Sequence, residues 1–342
     1  MAEWSMSRLP PLPEPLDGRP FALTEAETAG LGRSRLNARD LHRPSRGVRV
    51  PKAGHSELAA LVRSHTRLDA DIFASLITAA QILEVPLPRW AEFSPDGGGP
   101  VTAVTEPVPW GKKSGVHFRE PGKFLHLSRR NGGTLPRRKG VAGHRLKVRD
   151  GDLLEIDGLR VTSVARTWVD LGSVLPMDDL IVAGDAIVSE HARTFGKPKL
   201  PVVPLAELRR FVDGANGIHG VRKAREALEQ LRVGVDSPPE TKVRLMLDDA
   251  GLPEFVPDCR VDDAVGKPVW TDLGCIRFRT CVEYEGLHHL LPEQQALDSY
   301  RDQRVAEAGW RQVKINRIDM ERGPEWVVSR VAQTLRKQGW HR

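Results

Sequence analysis

Acidic residues within two adjacent apolar strands constrain the fold of the C-terminal third. Val269–Ile276 and Arg279–Tyr284 have the pattern of strands joined by a tight reversal. Asp272 lies between apolar neighbours in the first strand, where an unpaired buried carboxylate would be costly. Glu283 and Glu285 follow in the next strand, two residues apart, so their side chains point to the same face. If the strands pair, we expect the acids to meet at one edge of the sheet.

Helices and a further strand surround this pair. Ser237-Pro-Pro-Glu240 is typical of a helix start, with Ser237 as the N-cap and Glu240 three residues later. After the strand pair, the pattern predicts a helix at 292–308, a strand at 311–315 and a helix at 325–337. The order α-β-β-α-β-α predicts a small mixed sheet flanked by helices, an α/β fold of the α+β kind.

The spaced motifs of residues 236–342 resemble the DUF559 domain. The motifs are Ser237-Pro-Pro-Glu-Thr-Lys-Val-Arg, Asp272, Glu283-Tyr-Glu-Gly-Leu-His-His289, Asp298-Ser-Tyr-Arg-Asp-Gln-Arg and Gly309-Trp-Arg-Gln-Val-Lys-Ile. That domain is similar to the very-short-patch-repair endonucleases of the PD-(D/E)XK superfamily. The resemblance implies a restriction-endonuclease-like fold and metal-dependent hydrolysis of DNA.

A divalent cation is the cofactor that these acids predict. Carboxylate oxygens suit Mg²⁺ or Mn²⁺, and such an ion activates water and offsets charge on a phosphate. The resemblance implies that Asp272, Glu283 and Glu240 hold the ion, with Glu285 and His289 as further catalytic residues. Glu240 is explained equally well as half of a capping box at its helix start.

One position departs from the family pattern. DUF559 domains usually carry Glu-x-Asp-Gly, whereas this chain has Glu283-Tyr-Glu-Gly286. Glu285 also occupies the place of the lysine in the superfamily's name. The general base is therefore unassigned, and the candidates are His289, Lys314 and a metal-bound water acting alone.

Positive charge is concentrated between Trp110 and Asp150. This segment holds twelve Lys or Arg residues against Glu120 and Asp150, in a chain of net charge +6. Such a segment suits a phosphate backbone, and a solvated basic surface is the alternative. The residues predicted to bind nucleic acid are Arg129, Arg130, Arg137, Arg138 and Lys139.

The upstream half resembles AbiEi-type antitoxins of type IV toxin–antitoxin systems. The resemblance lies in Gly47-Val-Arg-Val-Pro51, Val141-Ala-Gly-His144 and Val161-Thr-Ser-Val-Ala-Arg-Thr-Trp-Val-Asp-Leu171. It implies a winged helix-turn-helix, with DNA and a toxin as partners. His144 and Arg166, which lie in these motifs, are expected to be structural.

Four regions follow from these patterns. They are a Pro-rich disordered lead at 1–20, a helix-turn-helix-like, winged-helix-like unit at 21–52, an α+β middle region at 53–235 and the nuclease-like domain at 236–342. The middle region is expected to be mainly helical from His55 to Leu87 and to form short strands up to about Val164.

Several classes of protein are disfavoured. No run approaches the roughly 18 apolar residues of a membrane span, and the N-terminus lacks the apolar segment of a signal peptide. The three cysteines, Cys259, Cys275 and Cys281, have no CxxC spacing and indicate buried thiols. We therefore expect a cytoplasmic protein. Its function is open between a metal-dependent DNA endonuclease and a catalytically inactive DNA-binding regulator similar to an antitoxin. A third alternative is an enzyme that acts on RNA rather than on DNA.

Overall fold

The computed structural model describes residues 9–52, 57–93, 124–130, 137–191, 193, 198–263, 265–286 and 292–341, without the side chains of 292–298. The chain divides into two compact units, Met1–Pro176 with Ala215–Arg222 and Met177–Gly214 with Lys223–Arg342. Within the described residues, no helix is long and apolar enough to cross a membrane.

A three-stranded antiparallel sheet and two short helices begin the first unit. These elements are β1 (Phe21–Ala22), α1 (Leu23–Thr28), α2 (Arg33–Leu36), β2 (Leu41–His42) and β3 (Val48–Pro51). Two short helices and the strand β3 lie within the region 21–52 that was expected to be helix-turn-helix-like, and β3 pairs with both other strands. The predicted disorder of residues 1–20 is wrong for Glu14–Leu16, a 3-10 helix, because Leu16 is buried against Phe21 and Leu36 in a small apolar core.

A five-stranded mixed sheet forms the rest of the first unit. Its elements are α3 (Leu58–Thr66), β4 (Ile72–Ala74), α4 (Leu76–Ile82), β5 (Leu125–Arg130), β6 (Val141–Leu146), β7 (Leu153–Ile156), β8 (Leu159–Thr162) and α5 (Val164–Leu171). The strand order is β6-β5-β4-β8-β7. The stretch predicted as mainly helical from His55 to Leu87 thus contains a strand. All three residues of β4 are buried. A short strand that is buried on both faces is a continuous apolar run, and such a run lacks the alternation that distinguishes a strand from a helix.

Buried polar contacts stabilise this sheet and its packing against α5. The Nη1 of Arg166 lies 2.6 Å from Asp152 Oδ2, and its Nε lies 3.1 Å from Asp170 Oδ2. Burial raises the pKa of Asp170 to about 7 despite the attraction of Arg166. His144 Nε2 lies 3.0 Å from His126 Nδ1, and the two rings stack. These contacts agree with the structural roles expected for Arg166 and His144.

The second unit contains the elements of the C-terminal region and three preceding helices, the last of them in part. They are α6 (Met177–Val188), α7 (Leu205–Gly214), most of α8 (Val221–Leu228), α9 (Pro238–Asp249), β9 (Val256–Asp262), β10 (Pro268–Cys275), β11 (Thr280–Glu285), α10 (Pro292–Glu307), β12 (Arg311–Asn316), α11 (Arg317–Glu321) and α12 (Pro324–Lys337). The sheet order is β12-β11-β10-β9, antiparallel from β9 to β11 and parallel between β11 and β12. The predicted α+β class and mixed sheet are confirmed.

Strand β9 is absent from the predicted order. Pro257, Cys259 and Val261 are its inward residues, so the strand does alternate with period two. A proline inside the run argues against a strand in sequence terms, because it cannot donate to the ladder. Antiparallel pairing with β10 stabilises this stretch as a strand, and the local sequence does not reveal that pairing.

A buried ion pair joins α6 to α9. Arg244 Nη2 lies 2.8 Å from Asp185 Oδ2, which also accepts from Thr241 Oγ1 at 2.9 Å. Asp185 is fully buried, so these donors offset the cost of its charge. The boundary predicted at residue 236 therefore falls inside the second compact unit, which begins at Met177.

Candidate functional site

Three charged residues lie side by side on neighbouring strands of the four-stranded sheet. The β10–β11 ladder pairs Leu273 with Val282, and the next antiparallel position brings Asp272 opposite Glu283. In the parallel ladder, Glu283 pairs with Lys314 of β12. Directly opposed residues on neighbouring strands share a face, so the two acids predicted as metal ligands meet on one side of the sheet.

The strands β10 and β11 begin to separate at this row. Beyond the Leu273–Val282 pair, the backbone N–H of Tyr284 donates to Asp272 Oδ2 at 2.8 Å. The carboxylate thus takes a hydrogen bond that the neighbouring backbone would otherwise accept. The paired ladder ends at this row, and the acids face the space beside the unpaired strand ends.

A cavity occupies this space. It is lined by Glu240, Asp272, Glu283, Tyr284, Glu285, Arg301 and Lys314. Four of the five predicted catalytic residues therefore lie around one opening. The fifth, His289, lies outside the described residues.

Glu283 is the most deeply buried acid of the cavity, with 4% of its surface exposed. Its Oε2 accepts from Arg301 Nη2 at 2.6 Å, whereas its Oε1 has no hydrogen-bond partner among the described residues. Burial, followed by the charge of Asp272, raises the pKa of Glu283 to about 8. A buried carboxylate oxygen without a donor is costly, and a bound cation would remove that cost.

Asp272 lies between the other acids and several cations. Burial raises its pKa, while the Tyr284 N–H and the charges of Arg301 and Arg193 act in the opposite direction. The charge of Asp272 in turn raises the pKa of both Glu240 and Glu283. The three predicted metal ligands are therefore electrostatically coupled through Asp272.

Glu240 anchors the start of its helix and also lines the cavity. Its Oε1 accepts from Ser237 Oγ at 2.7 Å and its Oε2 from the Asp236 N–H at 2.9 Å, which anchors the start of α9. It also lines the cavity, where burial and then Asp272 raise its pKa to about 7. The contact differs from the predicted capping box, because the Ser237 hydroxyl donates to Glu240 and makes no cap bond to the helix backbone.

The cations of the cavity come from α10 and β12. Arg301 pairs with Glu283. Lys314 Nζ lies 3.0 Å from Glu285 Oε1 and 2.6 Å from Asp302 Oδ2. No local pattern in the sequence indicates the Arg301–Glu283 contact, since it depends on how α10 packs on the sheet.

Arg193 is a further cation that sequence reasoning missed. Its guanidinium lies 2.7 Å from Asp258 and 2.7 Å from Asp236. Its charge also lowers the pKa of Asp272. Arg193 is far from the acids in sequence and belongs to no motif, so only the tertiary structure reveals its proximity.

The donor chemistry of the cavity fits a hard divalent cation. Asp272 and Glu283 contribute carboxylate oxygens from adjacent strands, and one of these oxygens is buried without a donor. In the described ranges, however, no three His, Cys, Asp or Glu side chains are already placed as metal ligands. Each Glu240 oxygen accepts one hydrogen bond and keeps a further lone pair that could ligate a cation.

The residues predicted to bind nucleic acid lie in the first unit. Three of the five already contact other protein groups. The partners are Asp69 and Asp71 for Arg129, Asp150 for Arg130 and the Arg46 carbonyl for Arg138. Arg137 and Lys139 are exposed. These two are the better candidates for phosphate contacts, because their charge reaches the solvent.

A further prediction concerns the three cysteines. Cys259, Cys275 and Cys281 are buried free thiols, as their spacing predicts. Burial raises the pKa of the Cys259 thiol to about 11, so it stays protonated at neutral pH.

Comparison of the chain with protein-family models, curated proteins and solved structures gave no match. The resemblances to the DUF559 domain and to AbiEi-type antitoxins therefore stay predictions. The geometry and charge of the cavity carry the functional argument.

Proposed function

We propose that this chain is a metal-dependent DNA endonuclease that hydrolyses phosphodiester bonds with Mg²⁺ or Mn²⁺. One observation carries the proposal: Glu283 Oε1 is buried without a hydrogen-bond partner, in a cavity that also contains Asp272. Carboxylates on neighbouring strands, one with an unused oxygen, suit a hard cation that prefers oxygen ligands. DNA as substrate agrees with the cytoplasmic location that the sequence predicts.

The arrangement of elements around the cavity supports the proposal. The order α9-β9-β10-β11-α10-β12, with β12 parallel to β11, agrees with the helix-flanked mixed sheet that the DUF559 resemblance implies. The acids sit where two strands separate, so backbone from β10 and β11 holds them on a rigid support. A site built on strands keeps its ligands better positioned than a loop would.

Some residues of the cavity would bind the cation, and others would orient these ligands. Asp272 and Glu283 would hold the cation, with Glu240 as a third ligand while Ser237 and the Asp236 N–H orient its carboxylate. When bound, the ion activates water and offsets negative charge on the phosphate. Arg301 orients the Glu283 carboxylate through its Oε2 and leaves Oε1 for the cation.

The competing function is a DNA-binding regulator without catalysis, similar to an antitoxin that has a toxin partner. Ion pairs within the cavity favour it, because Arg301 neutralises Glu283 and Lys314 neutralises Glu285. Acids balanced in this way need no metal. The two functions therefore differ in whether a divalent cation changes the behaviour of the protein.

A plasmid-nicking assay with Mg²⁺ or Mn²⁺ separates them. We expect the parent chain to nick DNA and Asp272→Ala to be inactive. Asp262→Ala is the matched control, since Asp262 is a half-exposed acid at the end of β9 that does not line the cavity. We expect this control to nick like the parent. A parent that nicks in neither ion would favour the regulator.

A further inference from the structure

Lys314 is fixed in the cavity by acids other than the three candidate metal ligands. Its ammonium lies 3.0 Å from Glu285 on β11 and 2.6 Å from Asp302 on α10. Ion pairs with two different elements restrict a side chain that is otherwise flexible and mobile at a surface. The ammonium therefore has a defined position at the rim of the site.

The sheet register places this charge beside the acids. Lys314 pairs with Glu283 in the parallel ladder, and Asp272 is opposite Glu283 on the other side. The Lys314 side chain is 41% exposed, so it meets both the cavity and the solvent from which a substrate would enter. An ammonium has three N–H donors. Glu285 and Asp302 account for two of them.

The charge of Lys314 persists at neutral pH. Burial lowers its pKa, but the hydrogen bonds and the negative charges of Asp302 and Glu285 together raise it overall. A lysine that keeps its proton cannot take one from water. This removes Lys314 from the candidates for the general base.

We propose that Lys314 binds the substrate phosphate, with its remaining N–H directed at a non-bridging oxygen of the phosphodiester next to the metal ligands. The inference rests on the proposed nuclease function. It specifies that the substrate phosphate binds on the side of the cavity where Lys314 lies. A compact ammonium is a suitable point charge for a phosphate oxygen. The cavity then has an acidic side for the cation and a basic side for the anion.

A purely structural role for Lys314 makes a different prediction. In that role it only neutralises Glu285 and Asp302, and its loss would act through repulsion between these acids. Removing one acid together with the lysine should then restore the parent behaviour. Phosphate binding predicts no such recovery, because the donor to the substrate is still missing.

The test compares Lys314→Gln with the charge-balanced double variant Asp302→Asn/Lys314→Gln. Lys242→Gln is the control, because Lys242 is 42% exposed and pairs with Asp179 on α6, away from the cavity lining. Affinity for a short DNA duplex is measured at several salt concentrations with Ca²⁺, a hard oxygen-binding cation. Melting with and without millimolar Mn²⁺, together with plasmid nicking, is measured in parallel for each protein.

We expect Lys314→Gln and the double variant to bind DNA about tenfold more weakly, as loss of one charged hydrogen bond predicts. The slope of log Kd against log salt should fall by about 0.9, since one phosphate contact is lost. The rise in Tm with Mn²⁺ should equal that of the parent, and Lys242→Gln should match the parent throughout.

Two results would overturn the inference alone. Where the parent nicks DNA, the first is a Lys314→Gln variant that binds DNA as tightly as the parent. The second, under the same condition, is a double variant that regains the parental affinity. A parent that binds DNA but neither nicks it nor responds to Mn²⁺ would instead overturn the proposed function, and this inference with it.

Discussion

Replacement of Glu283 by Gln should remove a loss of stability that the parent shows as the pH rises towards 8. The Glu283 carboxylate is 4% exposed, and its pKa rises from an ordinary 4.5 to about 8 because of burial and the nearby Asp272. An acid with a raised folded-state pKa destabilises the fold once the unfolded chain can ionise it. The cost begins near pH 4.5 and is complete above about pH 8. Glutamine keeps the shape of the side chain and removes the titration.

The size of the effect follows from linkage. Between pH 5 and pH 8, the folded chain keeps the Glu283 proton that the unfolded chain loses, which should lower the stability of the parent by on the order of 3 kcal/mol relative to Glu283→Gln. Glu240 titrates in both proteins, so its contribution largely cancels in the difference. Bound Mn²⁺ should reduce the cost, because a cation stabilises the ionised form of Glu283 and binds only the folded chain.

Urea unfolding of parent and variant from pH 5 to pH 8, with chelator and with millimolar Mn²⁺, measures this difference. Glu321→Gln is the control, since the Glu321 side chain is 60% exposed and solvated in both states. A parent–variant difference that stays constant over this pH range in chelator would refute the argument from burial. A difference that Mn²⁺ leaves unchanged would refute the assignment of Glu283 as a metal ligand.

Three further predictions test other parts of the molecule. Arg301→Gln should destabilise the metal-free protein by about 1 kcal/mol, because its partly exposed ion pair is lost. It should also increase Mn²⁺ affinity in calorimetry, since a competing cation is removed. Arg137→Gln/Lys139→Gln should lower the salt slope of DNA binding by about 2, as two phosphate contacts predict; an unchanged slope would leave these residues as solvated surface. Gly274→Ala should destabilise by about 1–3 kcal/mol in urea, because the added Cβ would lie 2.3 Å from Cys259 Sγ; parental stability would contradict the close packing of β9 on β10.

Local sequence patterns determined most of the elements around the candidate site. Ser237-Pro-Pro marks the start of α9, because proline suits the first turn and has no N–H to leave unpaired. The alternation of apolar and polar residues predicted β10, β11 and β12. It also placed Asp272 and Glu283 on two strands that are neighbours in the structure. These signals are readable because backbone geometry fixes the side-chain period over a few residues.

Contacts between distant elements were decided only by the tertiary structure. Arg301 reaches Glu283, and Lys314 reaches Asp302, because α10 packs across the sheet. The unpaired oxygen of Glu283 likewise depends on burial from several elements at once. A periodic pattern indicates which face a side chain takes, whereas the partner it meets depends on strand register and helix packing. Register and packing are set by the summed burial of many side chains, which no single stretch of sequence contains.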